Sequence, residues 1–103
     1  MIKVSVLYPN GAGAKFDMSY YMKSHMPMVQ KKLGDALKGM SIEEGLGGIP
    51  PGSPAPYIAS CGLLFDSVED FGLAFATHAE SIMADIPNYT NTQPTIQIGL
   101  IKL

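Results

Sequence analysis

Residues 16–27, FDMSYYMKSHMP, combine a helix start, an inward-facing histidine and a helix interruption within a few turns. Asp17 is a favourable N-cap, because its carboxylate can accept a hydrogen bond from a free amide of the first turn and lies at the positive end of the helix dipole. Phe16 before the cap and Tyr21 at the fourth helical position fit a hydrophobic staple. The segment predicts a helix that begins at about Met18.

The apolar side of this helix contains a histidine. The α-helical period aligns four side chains that should face the interior: Met18, Met22, His25 and Val29. Pro27 has no amide proton and disfavours helical geometry at the preceding residue, so we expect a kink or break just after His25. Such a break leaves a backbone carbonyl without its usual partner, which is a favourable setting for a functional site. Gly34 can adopt the left-handed conformation that ends the helix.

The composition indicates one domain of residues 1–103, with a formal net charge of -2, seven lysines and no arginine. Because arginine usually provides bidentate recognition of phosphates, nucleic-acid binding is not expected. Cys61 is the single cysteine, so an internal disulfide is excluded and a reducing compartment is expected. Its simplest role is that of a small, buried hydrophobic side chain. No apolar run approaches the length of a membrane span or a secretory signal. We therefore expect a cytoplasmic protein without membrane association.

Four segments show strand patterns. Residues 2–8 alternate apolar and polar side chains, residues 37–46 do so weakly, and residues 95–101 form a last strand. Residues 57–65 give the strongest pattern and are apolar on both faces. Between the second and third strands, the glycine- and proline-rich residues 47–56 exclude regular structure. This loop is either a flap that carries binding groups or a stiff surface connector.

A second helix follows the third strand. Asp66 or Ser67 is expected to cap it, and Pro87 to end it. Its predicted inner stripe consists of Phe71, Phe75, His78 and Ile82. The order β-α-β-β-α-β is typical of an α+β, ferredoxin-like fold, in which a four-stranded antiparallel sheet carries both helices on one face. Because the third strand is apolar on both faces, the uncovered face is expected to meet a second copy in a homodimer.

Three motifs resemble the EthD family, which is named for an accessory protein of ethyl tert-butyl ether degradation. They are FDxxYYxxxHxP at residues 16–27, FDS at residues 65–67 and DIPNYTN at residues 85–91. The family lies in the dimeric α+β barrel superfamily. The resemblance implies that two four-stranded sheets face each other across a dimer axis. Superfamily relatives range from cofactor-free monooxygenases and polyketide cyclases to haem enzymes.

The two histidines are the main candidates for chemistry, because both fall on apolar helix faces. His25 could act as general acid or base toward a carbonyl compound, and Tyr21, one turn earlier, could share the proton transfer. The alternative for His25 is a hydrogen-bonded core residue. His78, Tyr8 and Tyr89 are candidates for ligand binding, although each could simply complete the core.

Other chemistry has weaker support. Asp85 could orient a histidine or bind a helix end. The pair His78-x-Glu80 points to different sides of its helix, so no metal site is predicted. Haem ligation by His25 would lack an arginine for the propionates. We predict no cofactor.

Three functions remain open. The first is a small dimeric enzyme that binds an apolar or aromatic carbonyl compound and uses His25 with Tyr21 for cofactor-free proton transfer, of cyclase, dehydratase or monooxygenase type. The second is a non-catalytic accessory protein that carries a hydrophobic compound for a partner oxygenase. The third is a structural dimer whose interior is filled by methionine and phenylalanine.

Overall fold

The computed structural model describes all residues from Met1 to Leu103. The strands are β1 (Ile2–Pro9), β2 (Gly39–Glu44), β3 (Tyr57–Phe65) and β4 (Thr95–Leu100). The α-helices are α1 (Met18–Tyr20), α2 (Met26–Leu33), α3 (Val68–Ala76) and α4 (Ala79–Ala84), with a π-helical turn (Tyr21–His25) between the first two. Short 3-10 helices cover Gly34–Ala36 and Ile86–Asn88. No helix has the length and apolar character needed to cross a bilayer.

The four strands form one antiparallel sheet in the order β2-β3-β1-β4. The predicted order of strands and helices is therefore confirmed, as is the α+β class. Register aligns Val4 of β1 with Leu63 of β3 and Ile98 of β4, so these three side chains share one face of the sheet. The second strand is shorter than predicted, because only residues 39–44 pair with β3.

The core lies between the helices and this face of the sheet. Its buried apolar residues are Ile2, Val4, Tyr8, Tyr21, Met26, Val29, Leu33, Ala59, Cys61, Leu63, Phe65, Ile82 and Tyr89. Cys61 is a free, buried thiol, as expected from its strand pattern. Burial of these side chains is the main driving force that seats the helices on the sheet.

The first helix begins as predicted. The Asp17 carboxylate accepts a hydrogen bond from the Tyr20 amide at 3.0 Å, and the rings of Phe16 and Tyr21 lie 4.9 Å apart. Gly34 ends the helix with a positive φ of 59°. Ser67 caps α3 in the same way, because its hydroxyl accepts from the Asp70 amide at 3.1 Å.

The expected break after His25 is wrong, because the chain stays helical at Met26 (φ -67°, ψ -38°) and Pro27 lies within α2. The irregularity comes earlier, as a π-helical turn in which the Met26 amide donates to the Tyr21 carbonyl. The wider turn also changes which side chains face inward: Tyr21 and His25 are buried, whereas Met22 is exposed.

The second helix is two helices. His78 leaves the helical region (φ -116°, ψ 1°) between α3 and α4, and Thr77 and His78 are both weak helix formers. The expected end at Pro87 is also wrong, since α4 stops at Ala84 and Pro87 lies in the following 3-10 helix. The break leaves His78 half-buried at a junction rather than within a continuous inner stripe.

The other face of the sheet carries no helix. Apolar side chains on it are half-buried, namely Leu7, Ile58 and Leu64, and they lie among polar ones such as Ser5. The β2–β3 connection forms a hairpin loop in which Ile49 is 92% exposed. Edge strand β4 turns Ile96 toward the helix side, but no helix covers it there.

Candidate functional site

A cavity of about 70 Å³ lies between the helices and the sheet. Its walls are almost wholly apolar and come from the sheet, mainly β1 and β3, and from the π-helical turn, α2, α3, α4 and the segment after α4. The cavity is partly open at Met83 and Ile96, which are 41% and 45% exposed. No lysine side chain lines it; its polar groups belong to Tyr8, Tyr21, His25, Cys61 and Tyr89.

The π-helical turn places His25 at the cavity wall, where it is 3% exposed. Tyr21 stacks on the imidazole with ring centroids 5.4 Å apart and an angle of 14° between the planes. Tyr21 and His25 are four positions apart, at the two ends of this turn, so their side chains lie on one face of it. π-Helical turns occur often at functional sites.

Asp85, which does not line the cavity, holds the imidazole at Nδ1. Its Oδ2 atom lies 2.9 Å from His25 Nδ1, and its Oδ1 atom accepts hydrogen bonds from the Tyr20 hydroxyl at 2.7 Å and from Asn88 Nδ2 at 2.8 Å. Both carboxylate oxygens are therefore engaged. Of the two roles considered for Asp85, the structure shows the one that orients a histidine.

Two tyrosines extend this network on the other side of the ring. The Tyr89 hydroxyl lies 3.4 Å from His25 Nε2 and 2.7 Å from the Tyr8 hydroxyl. Tyr8 comes from β1 and Tyr89 from the turn after α4, and both are buried. Four side chains thus form a continuous chain of polar contacts, Asp85–His25–Tyr89–Tyr8.

The segment that carries Tyr89 is held against the segment before α1. The Asp17 amide donates to the Tyr89 carbonyl at 2.7 Å, and the Thr90 hydroxyl donates to the Lys15 carbonyl at 2.6 Å. Asn91 accepts from the Lys15 amide at 2.8 Å and donates to the Gly13 carbonyl at 2.9 Å. These contacts fix the position from which the Tyr89 ring reaches His25.

The electrostatics define the protonation states. Burial lowers the pKa of His25, although the Asp85 carboxylate acts in the opposite direction. Burial alone would raise the pKa of Asp85, but hydrogen bonds from Asn88, Tyr20 and His25 lower it overall. At neutral pH the pair is a neutral imidazole beside a carboxylate. The imidazole therefore donates from Nδ1 to Asp85, and its Nε2 lone pair faces the Tyr89 hydroxyl.

The other polar groups at the cavity are neutral. Burial raises the pKa of the hydroxyls of Tyr8, Tyr21 and Tyr89, and it also raises the pKa of the Cys61 thiol. The Tyr21 hydroxyl interacts with both Tyr8 and Cys61. The site consequently offers neutral hydrogen-bonding groups and one weak base to a molecule in the cavity.

Four of the five predicted site residues meet at the cavity: Tyr8, Tyr21, His25 and Tyr89. His78 does not line it. Tyr20 and Asn88, which hydrogen-bond to Asp85, were not predicted as site residues. Asn88 could have been found, because it follows Asp85 by three residues in the motif DIPNYTN. No three His, Cys, Asp or Glu side chains cluster in the structure.

Comparisons with known proteins address the family. The family model for the EthD domain matches residues 11–93. An EthD-like protein of Ralstonia eutropha JMP134 is 42% identical, with a TM-score of 0.94 over 99% of this chain and 92% of that chain. No curated protein matches the sequence.

Two further solved structures share the fold. An ethyl tert-butyl ether degradation (EthD) family protein of Bacillus halodurans C-125 is 21% identical, with a TM-score of 0.75 over 99% of each chain. HapK from Hahella chejuensis is 9% identical, with a TM-score of 0.55 over 97% of this chain and 92% of that chain. Since the EthD domain covers most of the sequence and the Ralstonia protein aligns along its length, the chain belongs to the EthD family.

Proposed function

We propose that the protein binds a small, neutral, apolar carbonyl compound in the cavity and catalyses proton transfer to and from it without a cofactor. One observation carries this proposal: the imidazole of His25, oriented by Asp85 at 2.9 Å, lies at the wall of an otherwise apolar cavity. A neutral imidazole whose other nitrogen is bonded to a carboxylate is a good general base. The Tyr89 hydroxyl lies 3.4 Å from this imidazole, and Tyr8 and Tyr21 supply further hydroxyls at the cavity.

Charge and size limit the ligand. Because no lysine lines the cavity, a carboxylate or phosphate would be buried there without a counter-ion, at a high cost in free energy. A volume of about 70 Å³ is roughly half that of an engineered apolar cavity of ~150 Å³ that admits benzene. The ligand is therefore a small ketone or aldehyde, or a longer one that extends through the opening at Met83 and Ile96.

Hydrogen–deuterium exchange tests the catalytic part of this proposal. The protein is mixed with 2-butanone in D₂O, and loss of the α-proton signals is followed by NMR. We expect exchange faster than in buffer, and a return to the buffer rate in the His25→Gln variant while the melting temperature shows that this variant is folded. Exchange at the buffer rate with the unsubstituted protein would exclude proton-transfer catalysis on this ketone class.

A second candidate is a non-catalytic protein that carries an apolar compound, for instance to a partner oxygenase. The observation that favours it is that the Tyr8 and Tyr89 hydroxyls already bond to each other at 2.7 Å, which leaves the cavity walls almost without free polar groups. This function predicts that 2-butanone shifts the methyl signals of Val4 and Leu63 without accelerated exchange. It also predicts that His25→Gln leaves the ligand affinity unchanged.

A cytoplasmic homodimer also forms part of the proposal. Leu7, Ile58 and Leu64 are half-buried on the sheet face that carries no helix, and a second copy packed on that face would remove them from water. Cys61 is a free thiol, which is consistent with a reducing compartment.

A further inference from the structure

We propose that Tyr8 and Tyr89 form a proton relay between the cavity and His25, so that the Tyr8 hydroxyl, and not the imidazole, is the group that exchanges a proton with the ligand. This inference rests on the proposed proton-transfer function. It assigns catalytic contact to Tyr8 and a transmitting role to Tyr89. Both residues were considered above only as binding groups.

The direction of the hydrogen bonds follows from counting protons. His25 Nδ1 donates to Asp85 at 2.9 Å, so Nε2 of the neutral ring can only accept. The Tyr89 hydroxyl, 3.4 Å away, must therefore donate to Nε2. Having only one proton, the Tyr89 oxygen must accept from the Tyr8 hydroxyl at 2.7 Å. The hydroxyl protons of Tyr89 and Tyr8 both point toward His25, and the Tyr8 oxygen accepts from the neighbouring Tyr21 hydroxyl or from a donor in the cavity.

Although His25 lines the cavity, a ligand has no direct path to its Nε2 atom. The Tyr89 hydroxyl already lies in front of Nε2, and Tyr21 stacks on the ring plane with centroids 5.4 Å apart. Tyr89 cannot easily move aside, because its carbonyl accepts from the Asp17 amide at 2.7 Å and its ring packs 4.6 Å from the imidazole. The Tyr8 oxygen is the end of the chain farthest from Asp85.

The proton transfer is balanced. The ligand breaks its acidic C–H or enol O–H bond and keeps the electron pair as an enolate, while its proton binds the Tyr8 oxygen. Tyr8 passes its own proton to Tyr89, and Tyr89 passes its proton to His25 Nε2. Both phenols end neutral. The products are an enolate and an imidazolium that the Asp85 carboxylate stabilises.

Acetylacetone is a suitable probe, because it is small and neutral and its enolate has a distinct ultraviolet absorbance. Titration of ¹³C,¹⁵N-labelled protein reports binding through the methyl signals and the charge of His25 through its ring-nitrogen shifts. We expect bound acetylacetone to ionise and His25 to become protonated. Tyr89→Phe should keep the ring packing and bind the probe, but slow the appearance of the enolate absorbance after rapid mixing at least about tenfold. Tyr8→Phe should have the same effect, and it replaces Tyr89→Phe in the experiment if that variant does not fold.

Tyr57→Phe is the matched control, since Tyr57 is exposed at the start of β3 and lies outside the chain of contacts. It should behave as the unsubstituted protein does. If both relay variants ionise the probe as fast as the unsubstituted protein does, the ligand contacts the imidazole directly and the relay is wrong, although the proposed function stands. Binding without ionisation in the unsubstituted protein rejects the relay and supports the carrier function. Absence of binding rejects the proposed function and the relay with it.

Discussion

His25 Nδ1 and Asp85 Oδ2 lie 2.9 Å apart although sixty positions separate the two residues in the chain. The contact joins the π-helical turn to the end of α4, and it selects which imidazole nitrogen carries the proton. Because the carboxylate can only accept, Nδ1 must donate. The direction of the hydrogen bond between Nε2 and the Tyr89 hydroxyl therefore depends on the contact with Asp85.

Asp85→Asn should reverse the histidine tautomer. An asparagine amide can face Nδ1 as a donor, in which case the proton moves to Nε2 and the imidazole donates to Tyr89. Loss of the carboxylate should also lower the pKa of His25 further, since the negative charge is what opposes the effect of burial. Ring ¹⁵N shifts of His25 measure both effects, with the second histidine, His78, as internal reference. An unchanged tautomer would show that the carboxylate does not orient the ring.

The stability of the protein should depend on His25 as the pH falls. Burial lowers the pKa of His25 in the folded state, whereas the unfolded chain takes up a proton near its ordinary value of about 6.5. The unfolded state therefore binds more protons below that pH, so the free energy of unfolding is highest above it and decreases as the pH falls through it.

Asp85 causes a separate loss of stability at lower pH. Folding lowers its pKa, so its contribution to the free energy of unfolding disappears as the pH falls through the folded-state pKa. In His25→Gln, urea denaturation should therefore show a flatter profile just below about pH 6.5 while the loss in the acid range remains. The same slope in both proteins would mean that His25 is protonated equally in the folded and unfolded states.

Local signals explain which parts of the fold could be predicted. The caps Asp17 and Ser67 and the helix end at Gly34 depend on neighbours within a few residues, and all three are confirmed. The strand periods also sufficed for the element order. The π-helical turn was not predictable, because it arises when Tyr21 and His25 both pack inward against residues far along the chain.

The candidate site was likewise predictable only where local sequence patterns determine the position of a side chain. The inward position of His25 follows from helical spacing, and the structure brings Tyr8, Tyr21 and Tyr89 to the same cavity. Helical spacing also placed His78 inward, but the break between α3 and α4 interrupts the period and moves it away. The sequence left two roles open for Asp85, because no local pattern distinguishes a carboxylate that binds a helix end from one that binds a histidine ring.

Asn91→Ala should loosen the segment that carries Tyr89. The Asn91 side chain accepts from the Lys15 amide and donates to the Gly13 carbonyl, and loss of the two hydrogen bonds should cost about 1–3 kcal/mol of unfolding free energy. Broadening of the Tyr89 ring signals should accompany the loss. Thr95→Ala, at an exposed position in β4, is the control and should change the unfolding free energy by less than about 0.5 kcal/mol. Equal effects would show that Asn91 does not fix Tyr89.

Leu7→Lys should dissociate the proposed homodimer. The Leu7 side chain lies on the sheet face without helices, where a buried lysine would carry an unpaired charge into the interface. Sedimentation equilibrium should show a shift toward the monomer of at least about tenfold in the dissociation constant. Ile98→Lys is the control, because Ile98 is exposed on the opposite face. If Ile98→Lys alone dissociates the dimer, the interface lies on the helix side of β4.

Val29→Ile should distinguish an open cavity from a filled core. Val29 lines the cavity from α2 and is buried, so one added methylene should occupy empty space and stabilise the protein by up to about 0.8 kcal/mol. The same substitution should weaken 2-butanone binding, because the methylene takes volume that the ligand needs. Val68→Ile, at an exposed position in α3, should change neither quantity. If Val29→Ile destabilises the protein, the added group has forced packed side chains apart, and the interior is a filled core that holds no ligand.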